Sequence, residues 1–198
     1  VSQAFTPRMV AQLEPRISAI TNELLDQVAD KGEMDVVRDL AYPLPVTIIA
    51  ELLGIPAELR DDFKRWSDAL VSDERETTEA ERQALFEEIG SMFNYFTQVL
   101  QERREHPQHD LVSALLTAEV DGQRLSDVEL LGFCGLLLVA GNETTTNLIG
   151  NMILCLDENP GVLERLRNDR TLVPGAIEEA LRYYSPVKAM TRITTTET

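Results

Sequence analysis

The sequence predicts a mainly α-helical fold that is organised around one long central helix and contains little strand. Apolar residues recur at three- and four-residue spacing along most of the chain, beginning with the segment from Pro7 to Ala29. The longest such segment, from about Asp127 to Asn159, carries the apolar run from Leu130 to Ala140. Only the tail from Ala189 to Thr198, where Thr and Ile dominate, has the composition of a strand.

The other helices follow from the same periodicity and from proline and glycine signals at their ends. They are predicted over Val46 to Leu53, Pro56 to Leu70, Leu85 to a point before Pro107, Leu111 to Ala118, Val162 to Asn168 and Pro174 to Ser185. Asp121 and Gly122 indicate a turn before the long helix. Ser126 and Glu129 have the spacing of a capping box, which places the start of that helix.

Composition indicates a folded protein and disfavours two classes of partner. Of the 198 residues, 43% are hydrophobic and 26% are charged, which is typical of a globular protein. The net charge of −16 opposes binding to nucleic acid and to anionic membrane surfaces. The apolar run from Leu130 to Ala140 is also well short of the ~18 residues that cross a bilayer. Neither a nucleic-acid nor a membrane partner is therefore expected.

The cysteines and histidines predict no disulfide and no metal site. Cys134 and Cys155 lie 21 positions apart, which on one helix is about 31 Å at ~1.5 Å per residue and far too long for a disulfide. We expect buried free thiols in a reducing, cytoplasmic environment. His106 and His109 flank Pro107 without a partner cluster, so an exposed interhelical loop is expected there.

Six polar residues, 142–147, directly follow the apolar run inside the long helix. Three of them are the successive threonines Thr144 to Thr146, whose hydroxyls can bond to backbone carbonyls. Together with Gly141, they predict a helix that is continuous but locally widened or bent between Val139 and Thr145. Such interruptions often mark functional sites.

The segment Ala140-Gly141-Asn142-Glu143-Thr144 resembles the acid-alcohol motif, A-G-x-(D/E)-T, of the oxygen-activation helix of cytochrome P450 monooxygenases. The resemblance implies a groove over a haem (heme) group, with Ala140 and Gly141 against the macrocycle. Thr144 would contact the haem, and its hydroxyl would orient a water molecule that donates protons. Glu143 would help to relay those protons from solvent. Cleavage of the O–O bond consumes protons, so the chemistry requires such a pair.

Two later segments resemble other parts of the same family. The E-A-L-R segment from Glu179 to Arg182 matches the E-x-x-R motif, which implies a buried structural ion pair on the proximal side of the haem. Arg192 resembles the strand arginine that binds a haem propionate, a role that suits its planar, permanently charged group. Outside this context, an E-x-x-R pair is usually a surface ion pair and a strand arginine usually faces solvent.

The resemblance also implies a substrate pocket for an apolar small molecule, lined by Leu136, Val139 and Val187. Apolar residues at such spacing are otherwise plain core. The intact parent would hydroxylate or epoxidise its substrate with dioxygen (O2) and with electrons from a ferredoxin or flavodoxin-type redox partner. The alternative is a haem-free helical module that binds a hydrophobic ligand or a partner.

The resemblance extends over residues 1–198, which would form a single partial domain, an internal fragment of a soluble, bacterial-type P450. The family's axial cysteine thiolate lies in a glycine-rich loop, F-x-x-G-x-x-x-C-x-G, that does not occur before Thr198. Cys134 and Cys155 lie on the distal helix, so no metal ligand is assigned within the chain. The chain alone is expected to be inactive, to bind haem weakly and to self-associate through the exposed groove.

Overall fold

Helices form almost all of the architecture. The structure, a computed structural model, describes residues 7–72, 77–120 and 122–189. Within these ranges the α-helices are α1 (Pro7–Ala29), α2 (Pro43–Leu52), α3 (Arg60–Val71), α4 (Glu79–Glu105), α5 (Leu111–Thr117), α6 (Asp127–Glu158), α7 (Pro160–Asn168) and α8 (Val173–Tyr183). The predicted mainly helical fold with a long central helix is confirmed.

Reciprocal caps fix the starts of the two longest helices. Before α4, the Thr78 backbone N–H donates to Glu81 Oε2 at 2.7 Å, and the Glu81 N–H donates to Thr78 Oγ1 at 3.3 Å. Before α6, the Ser126 N–H donates to Glu129 Oε2 at 2.8 Å, and the Glu129 N–H donates to Ser126 Oγ at 3.4 Å. Both pairs satisfy backbone donors that a helix start leaves without partners. The capping box predicted from Ser126 and Glu129 is confirmed.

Several local elements differ from the sequence predictions, among them a 3-10 turn, Ala57–Leu59, where the helix before Leu70 was expected to start. The turn at Gly122 joins two short antiparallel strands, β1 (Glu119–Val120) and β2 (Gln123–Arg124), which are too brief to show strand periodicity. One π-helical turn, Val37–Ala41, precedes α2, and a 3-10 turn, Arg170–Leu172, precedes α8. The predicted strand at the tail falls almost entirely on 190–198, outside the described residues.

Contacts along the chain cluster into two units, residues 1–143 and 144–198. The expectation of a single partial domain therefore stays a prediction, and each unit has its own packing. In the second unit, Leu166 of α7 and Ala180 of α8 are buried, and Asn151 Nδ2 donates to the Tyr184 carbonyl at 3.0 Å. Within the described ranges, no helix combines the length and apolar character needed to span a membrane.

The core of the first unit lies between α2, α3, α4, α5 and the first half of α6. Its largest fully buried side chains include Phe63, Phe96, Leu53, Met92, Leu115, Leu130 and Leu138. Trp66 of α3 packs against Tyr95 and Phe96 of α4, with ring centroids 5.3 and 6.3 Å away. Aromatic pairs at these distances add to the burial term. The helix α6 is thus held by its neighbours along one side.

A buried ion pair ties the end of α4 to the start of α5. Arg103 Nε donates to Asp110 Oδ2 at 2.6 Å, and the two side chains are 6% and 5% exposed. Asp110 Oδ1 also accepts from the Ser113 N–H at 2.8 Å. Gly54, at φ +70°, lies beside the pair, where an added Cβ would meet Asp110 Oδ2 at 2.5 Å. Only glycine fits both that conformation and that space.

Hydrogen bonding sets the charge state of Asp110. Burial alone would raise the pKa of this carboxyl, but the hydrogen bonds from Arg103 and Ser113 outweigh burial and hold the pKa below its usual 3.8. The ionised form is therefore favoured in the folded state. A group with a depressed folded pKa stabilises the fold above its unfolded pKa, and this contribution is lost as pH falls through the folded pKa.

Replacing Asp110 with Asn should destabilise the protein by about 3 kcal/mol at pH 7, because it leaves a buried guanidinium without its main partner. Urea unfolding measures this loss. The difference from the unmodified protein should shrink as pH falls below roughly 4, where the carboxylate protonates in the unfolded chain and then in the folded one. The matched control is Asp127→Asn, which removes the exposed partner of Arg104 and should cost much less. Equal losses for the two variants would contradict the assignment.

Candidate functional site

The first half of α6 presents two different faces. Leu130, Cys134, Leu138 and Asn142 recur every four residues and are all buried, with Leu138 at 0% exposure. On another side of the helix, Leu136, Ala140 and Glu143 are exposed, and the Leu136 side chain is 59% exposed. Residues four apart lie above one another on a helix. The packed stripe therefore turns Leu136, Ala140 and Glu143 outward as an accessible stripe that is apolar at one end and acidic at the other.

The polar run does not widen the helix. The helix α6 is α-helical without interruption from Asp127 to Glu158, so the continuity predicted for it is confirmed and the widening predicted between Val139 and Thr145 is wrong, whereas the alternative of a bend there stays a prediction. Threonine is tolerated because its hydroxyl can donate to the carbonyl one turn back while the backbone ladder stays intact. Thr21 and Thr97 do this elsewhere, donating at 2.7 Å to the Ile17 and Phe93 carbonyls.

Gly141 permits a close approach between α6 and α2. A Cβ built on Gly141 would lie 2.6 Å from Ile49 Cδ1 and 3.3 Å from Ile49 Cγ1, and Ile49 is itself buried. The sequence analysis missed this packing role, for which the glycine inside a helical pattern was the available signal. The contact of Gly141 with a macrocycle stays a prediction, whereas its neighbour Ala140 is on the exposed side.

Asn142 is the polar member of the packed stripe, and sequence reasoning gave it no role. Its Nδ2 donates to Ser67 Oγ on α3 at 2.9 Å, and the two residues are 5% and 1% exposed. A buried amide without a partner would cost roughly 1–3 kcal/mol, so hydrogen bonds such as this one allow the residue to be buried. The sequence feature that could have revealed this role is the position of Asn142, a polar residue that continues the four-residue repeat of Leu130, Cys134 and Leu138.

A second polar contact lies on α3 next to Ser67. Tyr42 is the residue before α2, and its hydroxyl donates to Asp68 Oδ1 at 2.6 Å. Burial raises the pKa of the Tyr42 phenol, and the hydrogen bond to Asp68 raises it further, while hydrogen bonds with Asn142 and Ser67 act in the opposite direction. The net effect keeps the Tyr42 hydroxyl protonated, so that it remains a donor toward Asp68.

The predicted catalytic pair occupies consecutive positions with different exposure. Glu143 is exposed, as a carboxylate that exchanges protons with bulk water must be, and Thr144 is half-buried. Of the predicted pocket residues, Leu136 is exposed, Val139 is half-buried and Val187, in the second unit, is 45% exposed. The roles of these residues stay predictions. Arg192 lies outside the described residues.

The E-x-x-R segment forms its ion pair, but the pair is on the surface. Arg182 donates to Glu179 through Nε at 2.8 Å and through a terminal nitrogen at 2.6 Å, which lowers the pKa of the Glu179 carboxyl. The Glu179 and Arg182 side chains are 61% and 68% exposed in the described residues, and the burial of the pair beside a haem stays a prediction. Glu179 also borders a groove of about 340 Å³ within the second unit, together with Cys155 and Tyr183.

The cysteines and histidines behave as structural and surface groups. Cys134 is 1% exposed, and burial raises the pKa of its thiol to about 12, which disfavours a thiolate ligand. Cys155 is half-buried, and neither cysteine is in a disulfide. His106 and His109 lie in an exposed loop between α4 and α5, as predicted. The described part of the chain holds no cluster of three or more His, Cys, Asp or Glu side chains suited to a metal ion.

Comparison with known families agrees with the family resemblance of the acid-alcohol motif. The family model for cytochrome P450 matches residues 46–198. The chain belongs to the cytochrome P450 family. It is 49% identical to cytochrome P450 107B1 of Saccharopolyspora erythraea over 94% of the chain and 45% of that protein. It is 47% identical to the cyclomarin C epoxidase CymV of Salinispora arenicola over 98% of the chain and 50% of that protein.

Solved P450 structures share this fold. The crystal structure of CYP109E1 from Bacillus megaterium in complex with corticosterone superposes with a TM-score of 0.87 at 48% identity, covering 93% of this chain and 50% of that one. The chain therefore spans about half the length of the P450 relatives that it matches. The P450 fold predicted from the three motifs is confirmed.

The Gly141 contact predicts opposite effects for two glycine substitutions in α6. Gly141→Ala should destabilise the protein by about 1 kcal/mol, because overpacking costs ~1–3 kcal/mol and the gain in helix propensity returns about 1. Gly132→Ala is the control, since its Cβ would meet nothing within 4 Å, and it should stabilise by about 0.5–1 kcal/mol. Urea unfolding of both variants gives the comparison.

The double variant Gly141→Ala/Ile49→Val tests the contact itself. Valine lacks the Cδ1 atom that lies 2.6 Å from the new Cβ, so the double variant should be more stable than the sum of the two single changes, by roughly 1 kcal/mol. Two results would contradict the packing role of Gly141: strictly additive effects in the double variant, or equal stabilisation by both glycine substitutions. Either would show that the Ile49 side chain moves aside for the new Cβ without a cost in stability.

Proposed function

We propose that the protein carrying this chain is a haem-thiolate monooxygenase that hydroxylates or epoxidises an apolar small molecule. The observation that carries this proposal is the accessible stripe of Leu136, Ala140 and Glu143, on the helix that bears the acid-alcohol motif. Membership of the P450 family supports it. When bound, the haem would supply the activation of dioxygen, with a cysteine thiolate as the axial ligand.

The accessible stripe fits the distal side of such a group. Ala140 has a small side chain, so a flat macrocycle could approach the helix backbone there, and Leu136 would cover an apolar surface one turn away. The exposed carboxylate of Glu143 can take protons from bulk water, and the hydroxyl of Thr144 can orient a water molecule that passes them on. These are the two requirements of a proton relay.

We also propose that Cys134 is not the thiolate ligand of the haem. Its thiol is packed in the core, its pKa is raised to about 12, and it lies on the buried stripe of α6. Cys155 lies on the same helix as Ala140 and Glu143, so it too would not serve as the thiolate that holds the haem. The proposed thiolate ligand therefore belongs to a different segment of the protein, and Arg192 remains the proposed propionate contact.

Relatives indicate the kind of substrate and partner to test. They include an epoxidase for cyclomarin C, a C-12 hydroxylase for erythromycin and a CYP109E1 complex with corticosterone. These compounds support an apolar small molecule as the substrate class, with Leu136 and Val139 as proposed pocket residues. We also propose that a ferredoxin or flavodoxin-type protein supplies electrons, and that the protein works in the reducing cytoplasm, where its two free cysteines would persist.

Replacing Thr144 with Ala in the haem-loaded protein should raise the peroxide released per reductant consumed several-fold, because proton delivery is impaired while haem binding is retained. Peroxide and reductant assays on the same sample measure the ratio. The matched control is Thr145→Ala, which removes the neighbouring hydroxyl, also half-buried. The same ratio in all three proteins would show that Thr144 is not the relay alcohol.

The isolated chain of 198 residues should give no thiolate-type band when haemin is added, reduced and exposed to CO. Burial raises the pKa of the Cys134 thiol to about 12, which favours the protonated thiol at neutral pH, and Cys155 lies on the same helix. The absorption spectrum of this mixture is the measurement, with Cys134→Ser and Cys155→Ser variants as controls. A thiolate-type band that disappears in one of these variants would assign that cysteine as a ligand and contradict the proposal.

A further inference from the structure

We propose that Gly132 sets the depth of the substrate pocket, because its missing side chain leaves room for the Leu136 side chain to lie back along α6. This inference rests on the proposed function, in which Leu136 is a pocket residue and Ala140 is the point where the macrocycle approaches. Gly132 thereby determines how bulky an apolar substrate the site accepts.

Packing within the described part of the chain gives no reason for a glycine at position 132. The backbone is α-helical there, and a Cβ built on Gly132 would meet no described atom within 4 Å. Gly141 differs, because Ile49 approaches it closely. Glycine inside a helix is less favourable than alanine. A glycine that is not needed for packing is explained where another molecule must come close to the backbone.

Gly132 lies one turn before the accessible stripe and on the same side of α6. Gly132, Leu136 and Ala140 follow one another at intervals of four residues, and all three are exposed. Residues at this interval lie above one another on a helix, about 6 Å apart at ~1.5 Å per residue. Leu136 is therefore the one large side chain between two positions that have little or no side chain.

The direction of side chains on a helix relates Gly132 to Leu136. Long helical side chains point toward the N-terminus and cover the preceding turn. On this side of α6 the preceding turn carries Gly132, so the Leu136 side chain can lie over the bare backbone there and leave the space in front of Ala140 open. The Leu136 side chain is 59% exposed, so packing against the described residues does not hold it in another place.

A larger residue at position 132 would take the place that the Leu136 side chain needs. It would hold Leu136 outward, into the space that a substrate occupies in front of Ala140. The alternative is that another segment of the longer protein packs against Gly132. The two cases differ in their effect on stability, because a new side chain collides with a packed segment in the ligand-free protein, whereas in an open pocket it meets solvent.

Azole affinities of the haem-loaded full protein test the proposal with Gly132→Leu. The probes are imidazole, which is small, and clotrimazole, which carries three aryl rings; titration of the haem absorption band gives both affinities. The affinity for clotrimazole should fall roughly tenfold or more, and that for imidazole should stay within about twofold. The melting temperature of the ligand-free variant should be unchanged or raised, because leucine favours a helix more than glycine does.

Two further variants separate this effect from a general disturbance. Gly90→Leu is the matched control, since Gly90 lies inside α4 and its Cβ would also meet no described atom within 4 Å; it should leave both affinities within about twofold. Gly132→Leu/Leu136→Ala removes the side chain that is held outward. Its affinity for clotrimazole should return to within about threefold of that of Leu136→Ala alone.

Unchanged clotrimazole affinity in Gly132→Leu overturns the proposal, as does a loss that persists in the double variant. A lower melting temperature of Gly132→Leu also overturns it and assigns the space to a packed segment. Binding of imidazole but not of clotrimazole to the unmodified protein would show that a pocket of this depth does not exist. Failure of the proposed function is recognised separately, because the unmodified full protein would then show no thiolate-ligated haem band for imidazole to shift, and the inference falls with it.

Discussion

Burial of one stripe of α6 is the constraint on which the rest of the first unit depends. Leu130, Cys134 and Leu138 pack into the core formed by α2, α3, α4 and α5. Burial of apolar surface contributes about 25 cal/mol per Å², so this face cannot turn toward water without a large loss. The direction of every other side chain on the helix follows from that choice. The stripe of Leu136, Ala140 and Glu143 is accessible because another side of α6 is packed in the core.

Two exceptions to apolar packing make this arrangement specific. A glycine lets α6 approach Ile49 more closely than any other residue would allow, and an asparagine on the buried stripe finds its hydrogen-bond partner in Ser67. Neither feature adds much apolar burial. They act on specificity, because a shift of α6 along α2 and α3 would either bring a side chain into collision with Ile49 or leave the buried amide without its bond to Ser67. Both lie immediately before the residues to which chemistry is assigned.

A different device holds the neighbouring helices. Arg103 and Asp110 form a buried ion pair at the junction of α4 and α5, and Gly54 leaves room for it at the end of α2. Breaking such a pair is costly because it leaves one buried charge without its main partner. The pair therefore holds the α4–α5 junction against α2, which carries the Ile49 contact to α6. By contrast, the Glu179–Arg182 pair is exposed, and solvent screens it.

The sequence by itself determined the helices and the motif. Periodic apolar spacing, proline positions and the Ser126–Glu129 cap depend on neighbours within a few residues, so α1 and α6 were predictable to within one residue, whereas α4 starts at Glu79, six residues before the predicted Leu85. The acid-alcohol motif likewise lies within five consecutive residues and led directly to the P450 family. Short elements, such as the β1–β2 hairpin, were missed because two residues carry no period.

Only the tertiary structure decided which residues that are far apart in the sequence contact each other. Ser67 and Asn142 are 75 positions apart, and Gly54 and Asp110 are 56 apart by number, so no local pattern relates them. The widening predicted in α6 failed because threonine hydroxyls need not break the helix, and the exposure of Glu179 and Arg182 depends on what packs over α8. Local sequence fixes which backbone hydrogen bonds form, whereas burial depends on the whole set of packed neighbours, and the chemistry of Glu143 depends on both.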